Sequence, residues 1–254
     1  MRNALKQIVK TLDSIRLKRL SRKFINLASR QDYAHGLTWF GATIFQTPTD
    51  LFLYQQLIYK SKPTIIIETG IAKGGSILFA CQMLDLLYSA SGKKNWYVIC
   101  CDINSTDEAQ LLIKQHGFSE NVKFFCGDSA GLSFSEVVAK TIQLQEKPKV
   151  LLSLDSNHTE DHVYAELVSL AKYVSLDSYA IVWDSRLGDL SKLTHALRPR
   201  AWSKQHHAGT GAELFIASEL GKLFVVETGF ETDLLLTGTK NGVLRKVLTG
   251  EITA

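Results

Sequence analysis

No apolar run in this 254-residue chain approaches the ~18 residues that a membrane-spanning helix needs, so none is expected. Cysteine is scarce. Cys81, Cys100, Cys101 and Cys126 are the whole complement, and their spacing fits neither a paired metal site nor a disulfide framework. All four fall inside apolar strand or helix patterns and read as reduced core residues of a cytoplasmic protein. Internal repeats, low-complexity tracts and dividing linkers are missing too. With 45% hydrophobic residues, the chain therefore reads as one large α/β domain with ample core. The Gly-x-Gly-x-x-Gly that holds a dinucleotide pyrophosphate is also absent, which counts against a nicotinamide-dependent dehydrogenase.

Charge is low overall but uneven. Residues 1–23 hold eight basic residues against Asp13 alone, a net of +7, so the rest of the +4 chain carries −3. The body therefore offers no nucleic-acid surface. In the basic arm, Leu5, Ile8, Val9, Leu12, Ile15, Leu20 and Phe24 recur near helical spacing, without the continuous apolar core or cleavage site of a secretory signal. A helix of this kind can lie on an anionic membrane surface. Packing on the chain's own body or on a partner subunit is the reading favoured at this stage. Residues 1–36 are assigned to this arm and 37–254 to the main domain.

What is present is an alternation of short apolar runs with helix-length segments, the pattern of a parallel sheet wound by crossover helices. Strands are expected near Thr64–Glu68, Tyr97–Asp102, Val122–Cys126, Val150–Asp155 and Tyr179–Asp184. Further strands are expected at Leu223–Glu227, Leu234–Thr239 and Val243–Val247, the last entered through an Asn241-Gly242 turn. Between them, Ser185 to Gly211 is a polar stretch expected to run over the pocket mouth.

The most pointed string is Ile65-Ile66-Ile67-Glu68-Thr69-Gly70-Ile71-Ala72-Lys73-Gly74-Gly75-Ser76. A buried strand ends in an acid, turns on Gly70 and enters a helix at Gly74-Gly75, where a ligand can approach bare backbone. Ser76 can cap that helix, whose amides face the ligand. Glu68 would repel phosphates but suits an ammonium or sulfonium. Class I S-adenosylmethionine (SAM) methyltransferases have this pattern.

Carboxylates stand at successive strand ends, where open α/β sheets collect their function. Asp102 is placed to accept the two ribose hydroxyls of an adenosine. Asp128, in Gly127-Asp128-Ser129, sits where an adenine amino group could be read. The fourth strand runs into Leu154-Asp155-Ser156-Asn157-His158-Thr159, with Thr159 expected to cap the next helix. Asp155 and His158 then face the pocket, and an imidazole there can take a proton from a hydroxyl. Asp184 adds a second carboxylate near Asp155, and the two could share Mg²⁺. Arg186, His206 and His207 are candidate acceptor contacts. His162 reads as structural.

These blocks, with Trp39-Phe40-Gly41, Gln46-Thr47-Pro48-Thr49-Asp50 and Asn241-Gly242-Val243-Leu244-Arg245, resemble the cephalosporin hydroxylase-like family of class I SAM-dependent methyltransferases, related to sugar and macrolide O-methyltransferases. The resemblance covers most of residues 37–246 and leaves the basic arm outside. It implies a Rossmann-like, three-layer α/β/α fold with a seven-stranded sheet whose last strand is antiparallel. It also implies SAM held by Glu68, Gly70, Gly74, Gly75, Ser76, Asp102, Asp128 and Ser129. His158 would be the base and Asp155 its catalytic neighbour, with O-methyl transfer to a hydroxyl of a small polar acceptor, a sugar or glycosylated natural product, in a homo-oligomer. Its Mg²⁺ would sit on Asp155, Asp184 and the acid that is Trp183 here, a departure that weakens the site. The same resemblance admits a non-catalytic SAM-binding subunit that supports a partner oxygenase.

Overall fold

The computed structural model of the chain describes residues 2–92, 95–197 and 200–249. A long helix, α1 (Arg2–Arg30), leads into a small antiparallel hairpin, β1 (Thr38–Trp39) with β2 (Ala42–Thr43), and then helix α2 (Pro48–Ser61). The main sheet follows: β3 (Ile65–Thr69), β4 (Tyr97–Asp102), β5 (Val122–Cys126), β6 (Val150–Leu154), β7 (Tyr179–Val182), β8 (Phe224–Val226) and β9 (Val243–Lys246). Its seven strands lie in the order β5-β4-β3-β6-β7-β9-β8. β9 pairs antiparallel with β7 and with β8, while β3 to β7 pair in parallel. This is the mostly parallel sheet with an antiparallel last strand that the family resemblance implies.

β3 illustrates why the centre forms. Ile65, Ile66, Ile67, Glu68 and Thr69 are all buried, the near-continuous β-branched run of a strand covered on both faces. Ile66 packs under α2 and α3 (Gly75–Tyr88) with Leu151 and Ile181, whereas Ile65 and Ile67 join the opposite core with Ile99 and Leu152. Each fully buried isoleucine contributes roughly 1.5–3 kcal/mol of transfer free energy. The crossovers are α3, α4 (Asp107–Gln115), α5 (Leu132–Ile142) and α6 (Glu160–Leu170). Helices α7 (Lys192–Leu197), α8 (Ala208–Ala217) and α9 (Gly229–Leu234) fill the C-terminal third. Thr69 pairs with Cys101 on one side and Leu154 on the other, so the carboxyl ends of β3, β4 and β6 come level.

Four expectations are corrected. Leu234–Thr239 is no strand: α9 ends at Leu234, and Leu235 turns at a φ of 53°. The place beside β7 is held by β9, and the segment instead bonds to side chains such as Thr49 and Asp50 and to the Arg186 N–H. Ser76 does not cap α3; Gly74 does, at a φ of 83°, and the helix begins one residue earlier than Ser76. Thr159 stands at the N-cap of α6 without a side-chain hydrogen bond to it. Cys126, the last residue of edge strand β5, is exposed, unlike Cys81, Cys100 and Cys101. Among the described residues, no helix is long and apolar enough to cross a membrane.

Candidate active site

A cavity of about 870 Å³ opens over the carboxyl ends of β3, β4 and β6, within the size range of small-molecule sites. It reaches from Asp102 and Asp128 past Gly70 and Ser76 to Asp155, His158 and Asp184.

At one end the β3–α3 loop wraps the carboxylate of Asp102. Its Oδ2 accepts from the backbone N–H of Ile71 (2.9 Å) and Ala72 (3.2 Å), and its Oδ1 from Asn104 N–H (2.9 Å). Partial burial works against the charge, yet these backbone donors outweigh it and hold the carboxyl below its ordinary pKa. Asp128 Oδ1 accepts from Ala130 N–H at 3.0 Å, fixing the turn after β5.

The glycines serve the protein's own packing. A Cβ on Gly70 would stand 2.1 Å from the carbonyl oxygen of Asp155, and one on Gly75 would stand 2.3 Å from that of Thr43. They let the β3 and β6 ends and the β1–β2 hairpin close around the loop.

Glu68 does not face the cavity. It is 1% exposed and absent from the lining; Tyr54 Oη donates to its Oε2 at 2.9 Å, with the hydroxyls of Ser76 and Ser153 beside it. Burial pushes its carboxyl up to about 7 against those hydroxyls. Trp183 belongs to the same buried group. Its Nε1 donates to Ser153 Oγ at 2.9 Å, and its ring meets Tyr54 edge-on at 5.6 Å. The side chain that replaces the family's acid is therefore a core aromatic.

Beneath the floor lies a network that the sequence reading missed. Glu166, fully buried on α6, accepts from Ser129 Oγ (2.5 Å) and Ser156 Oγ (2.6 Å), with His162 Nε2 3.3 Å away. His162 is held above its ordinary pKa by Glu166, and it also meets Ser129 Oγ at 3.1 Å. The one sequence signal was the i, i+4 spacing of His162 and Glu166 on a helix.

At the other end, His158 stands between two acids, with Nε2 3.6 Å from Asp184 Oδ2 and 3.9 Å from Asp155 Oδ1. Gln46, from the segment before α2, donates to Asp155 Oδ2 at 2.7 Å. Burial, then the nearby Asp184 and Glu68, push the Asp155 carboxyl well above the ordinary range despite Gln46. Asp50 is buried nearby and accepts from Thr47 Oγ1 (2.7 Å), Thr237 Oγ1 (2.5 Å) and Gly238 N–H (3.1 Å); burial raises it to about 6. Of the predicted acceptor contacts, Arg186 lines the cavity. His206 instead meets Glu160 at 3.0 Å, and His207 caps α8 by accepting from Gly209 N–H at 3.0 Å.

A divalent metal is a poor fit for these donors. Trp183 is turned into the core, and no group of three or more His, Cys, Asp or Glu among the described residues is arranged to hold an ion.

The sheet order, the antiparallel β9 and the cavity above β3 and β4 define the class I methyltransferase fold. The chain belongs to the Rhamnosyl O-methyltransferase/CmcI family, which it matches over residues 31–247, beginning just after α1. It is 24% identical over 163 residues to a rhamnosyl O-methyltransferase of Mycobacterium leprae (strain TN), a match covering 64% of each chain. The chain thus spans a little under two thirds of that relative's length. Among solved structures it is similar to CmcI with Mg and SAM (TM-score 0.57, 17% identity, 84% of this chain and 78% of the other). It is similar also to apo CmcI (TM-score 0.57, 16% identity, 85% and 78%).

Proposed function

We propose that this chain transfers a methyl group from SAM to a hydroxyl of a small polar acceptor, a sugar or a glycosylated natural product. The observation that carries the reading is one cavity with two different ends. Asp102 sits at one end on a ring of backbone donors, and His158 sits between Asp155 and Asp184 at the other. The names of the relatives, rhamnosyl O-methyltransferases, support a sugar hydroxyl as acceptor.

The cofactor end fits an adenosine. Asp102 keeps its charge and meets the cavity, so it can accept from ribose hydroxyls, and Asp128 and Ser129 line the wall beyond it. Gly70, Gly74 and Gly75 hold the loop that shapes this end, and Glu68 braces that loop from behind. When bound, SAM supplies a methyl group on a sulfonium that is already reactive toward an oxygen nucleophile.

The acceptor end supplies the base. His158 Nε2 stands beyond hydrogen-bond distance of both carboxylates, so an acceptor hydroxyl can reach it and hand over its proton. Asp184 then stabilises the imidazolium that forms. Asp155, fixed by Gln46, positions the acceptor hydroxyl. Much of the acceleration comes from holding oxygen and methyl in line.

The test is incubation with methyl-labelled SAM and a panel of rhamnosides. Label should move to a sugar hydroxyl, and His158→Ala should lower that turnover by ~10²–10⁴-fold while leaving S-adenosylhomocysteine affinity intact. Transfer undiminished in His158→Ala would remove the base assignment. Cofactor binding without transfer to any glycoside would leave a SAM-binding subunit without this activity.

A further inference from the structure

Helix α1 divides into two parts. From Ser21 onward it packs on the body: Ser21 Oγ donates to the Leu235 carbonyl, Asn26 Oδ1 accepts from Ser191 N–H at 2.6 Å, and Phe24 meets the Tyr33 ring edge-on at 6.0 Å. Phe24, Ile25, Ala28 and Ser29 line the cavity. Asn3 and residues 5–20 are instead exposed throughout, so that half does not pack on its own chain.

The exposed half extends about 27 Å at 1.5 Å per residue. Leu5, Ile8, Val9, Leu12 and Ile15, between 46% and 63% exposed, fall within an arc of about 120° at 100° per residue. Lys6, Lys10 and Lys18 stand on the other side, whereas Arg16 and Arg19 fall within the arc at its body-proximal end, where long stems can carry their charged heads clear of the apolar side chains. Asp13 is the sole acid of residues 1–23, and it pairs with Arg16 at 3.3 Å.

A second copy's arm is a poor occupant. The alternating spacing Leu5–Ile8–Leu12–Ile15 continues onto Arg19 and Arg22, so a coiled-coil seam would run from two apolar heptads into cations facing cations. A surface that is apolar below and anionic above meets both faces of this half-helix.

We propose that residues 3–20 of α1 dock on the interface of an anionic phospholipid membrane, with the Leu5–Ile15 stripe seated in the headgroup layer and the lysines on lipid phosphates and carboxylates. The same helix lines the cavity four residues further on, so docking sets the acceptor end of the cavity beside the membrane.

The experiment is cosedimentation of the full chain with vesicles of phosphatidylcholine alone and of phosphatidylcholine with phosphatidylserine, read at low and physiological salt. Binding should require phosphatidylserine and weaken with salt. Each of Lys6→Gln and Lys10→Gln should reduce partitioning roughly fivefold. The triple variant Leu5→Ser, Ile8→Ser, Leu12→Ser should abolish it, with an unchanged circular dichroism spectrum of the body. Failure to sediment with the anionic vesicles at low salt overturns the proposal. So does equal binding to neutral vesicles, or an arm-dependent dimer in solution whose interface hides the stripe. None of these readings depends on methyl transfer.

Discussion

Glu68 and Asp102 are carboxylates near the ends of adjacent strands, and burial divides their roles. Asp102 is half-open to the cavity and charged, whereas Glu68 sits behind the wall with its carboxyl raised to about 7. An acid whose folded pKa lies above its unfolded value binds its proton more tightly when folded. Stability is therefore highest at or below the unfolded value and falls as pH rises through the window from 4.5 to about 7. Glu68→Gln removes this dependence. Thermal unfolding of both proteins should show the variant gaining on wild type by ~1–3 kcal/mol between acidic and mildly alkaline pH. A difference that does not move with pH would mean that folding leaves the Glu68 carboxyl at its unfolded pKa. Asp102→Ala strands the N–H groups of Ile71, Ala72 and Asn104, so it should cost ~1–3 kcal/mol of stability and also weaken S-adenosylhomocysteine binding by tenfold or more, measured by calorimetry.

Among the elements, the segment from Leu235 to Thr239 shows where local pattern misleads. Leu234-Leu235-Leu236-Thr237 has the composition of a strand, but the antiparallel β9 takes the place beside β7. The Thr237 hydroxyl and the Gly238 N–H go to Asp50 at the start of α2, 187 residues away for Thr237. Removing that acceptor strands a buried hydroxyl and a backbone N–H, so Asp50→Ala should cost ~2–4 kcal/mol in chemical denaturation. Asp50→Asn should cost less below pH 6, because the wild-type carboxyl is raised to about 6 and is then largely neutral. Equal loss in both variants would contradict the account of Asp50 as an acceptor for this loop. The strand–Gly70–Gly74–Gly75 unit was legible because its elements are consecutive and Gly70 and Gly74 sit at left-handed turns, although the close contacts of Gly70 with Asp155 and of Gly75 with Thr43 are set by the fold. The roles of Gln46, Asp50 and Glu166 were not, since each is set by partners that only the fold brings near; Gln46 meets Asp155 across 109 residues. Ser76 shows the reverse: its polarity was visible, but its partner, Glu68, lies across the loop rather than at the cap.

At the scale of the molecule, residues 1–36 are not detached from the site. Phe24, Ile25, Ala28 and Ser29 line the cavity, so the helix that was read as a basic arm helps to enclose it. Removing residues 2–20 should therefore preserve cofactor affinity, whereas a deletion through residue 30 should open the cavity and raise the acceptor KM; titration and steady-state kinetics of the two truncations check this. The account as a whole depends on the Asp102 end accepting adenosine. The most direct test is a calorimetric titration of the full chain with S-adenosylhomocysteine, alongside Asp102→Ala and with NAD as competitor. Saturable binding that is lost in the variant and indifferent to NAD is the predicted result. Absence of binding, or equal binding by wild type and the Asp102 variant, would contradict it.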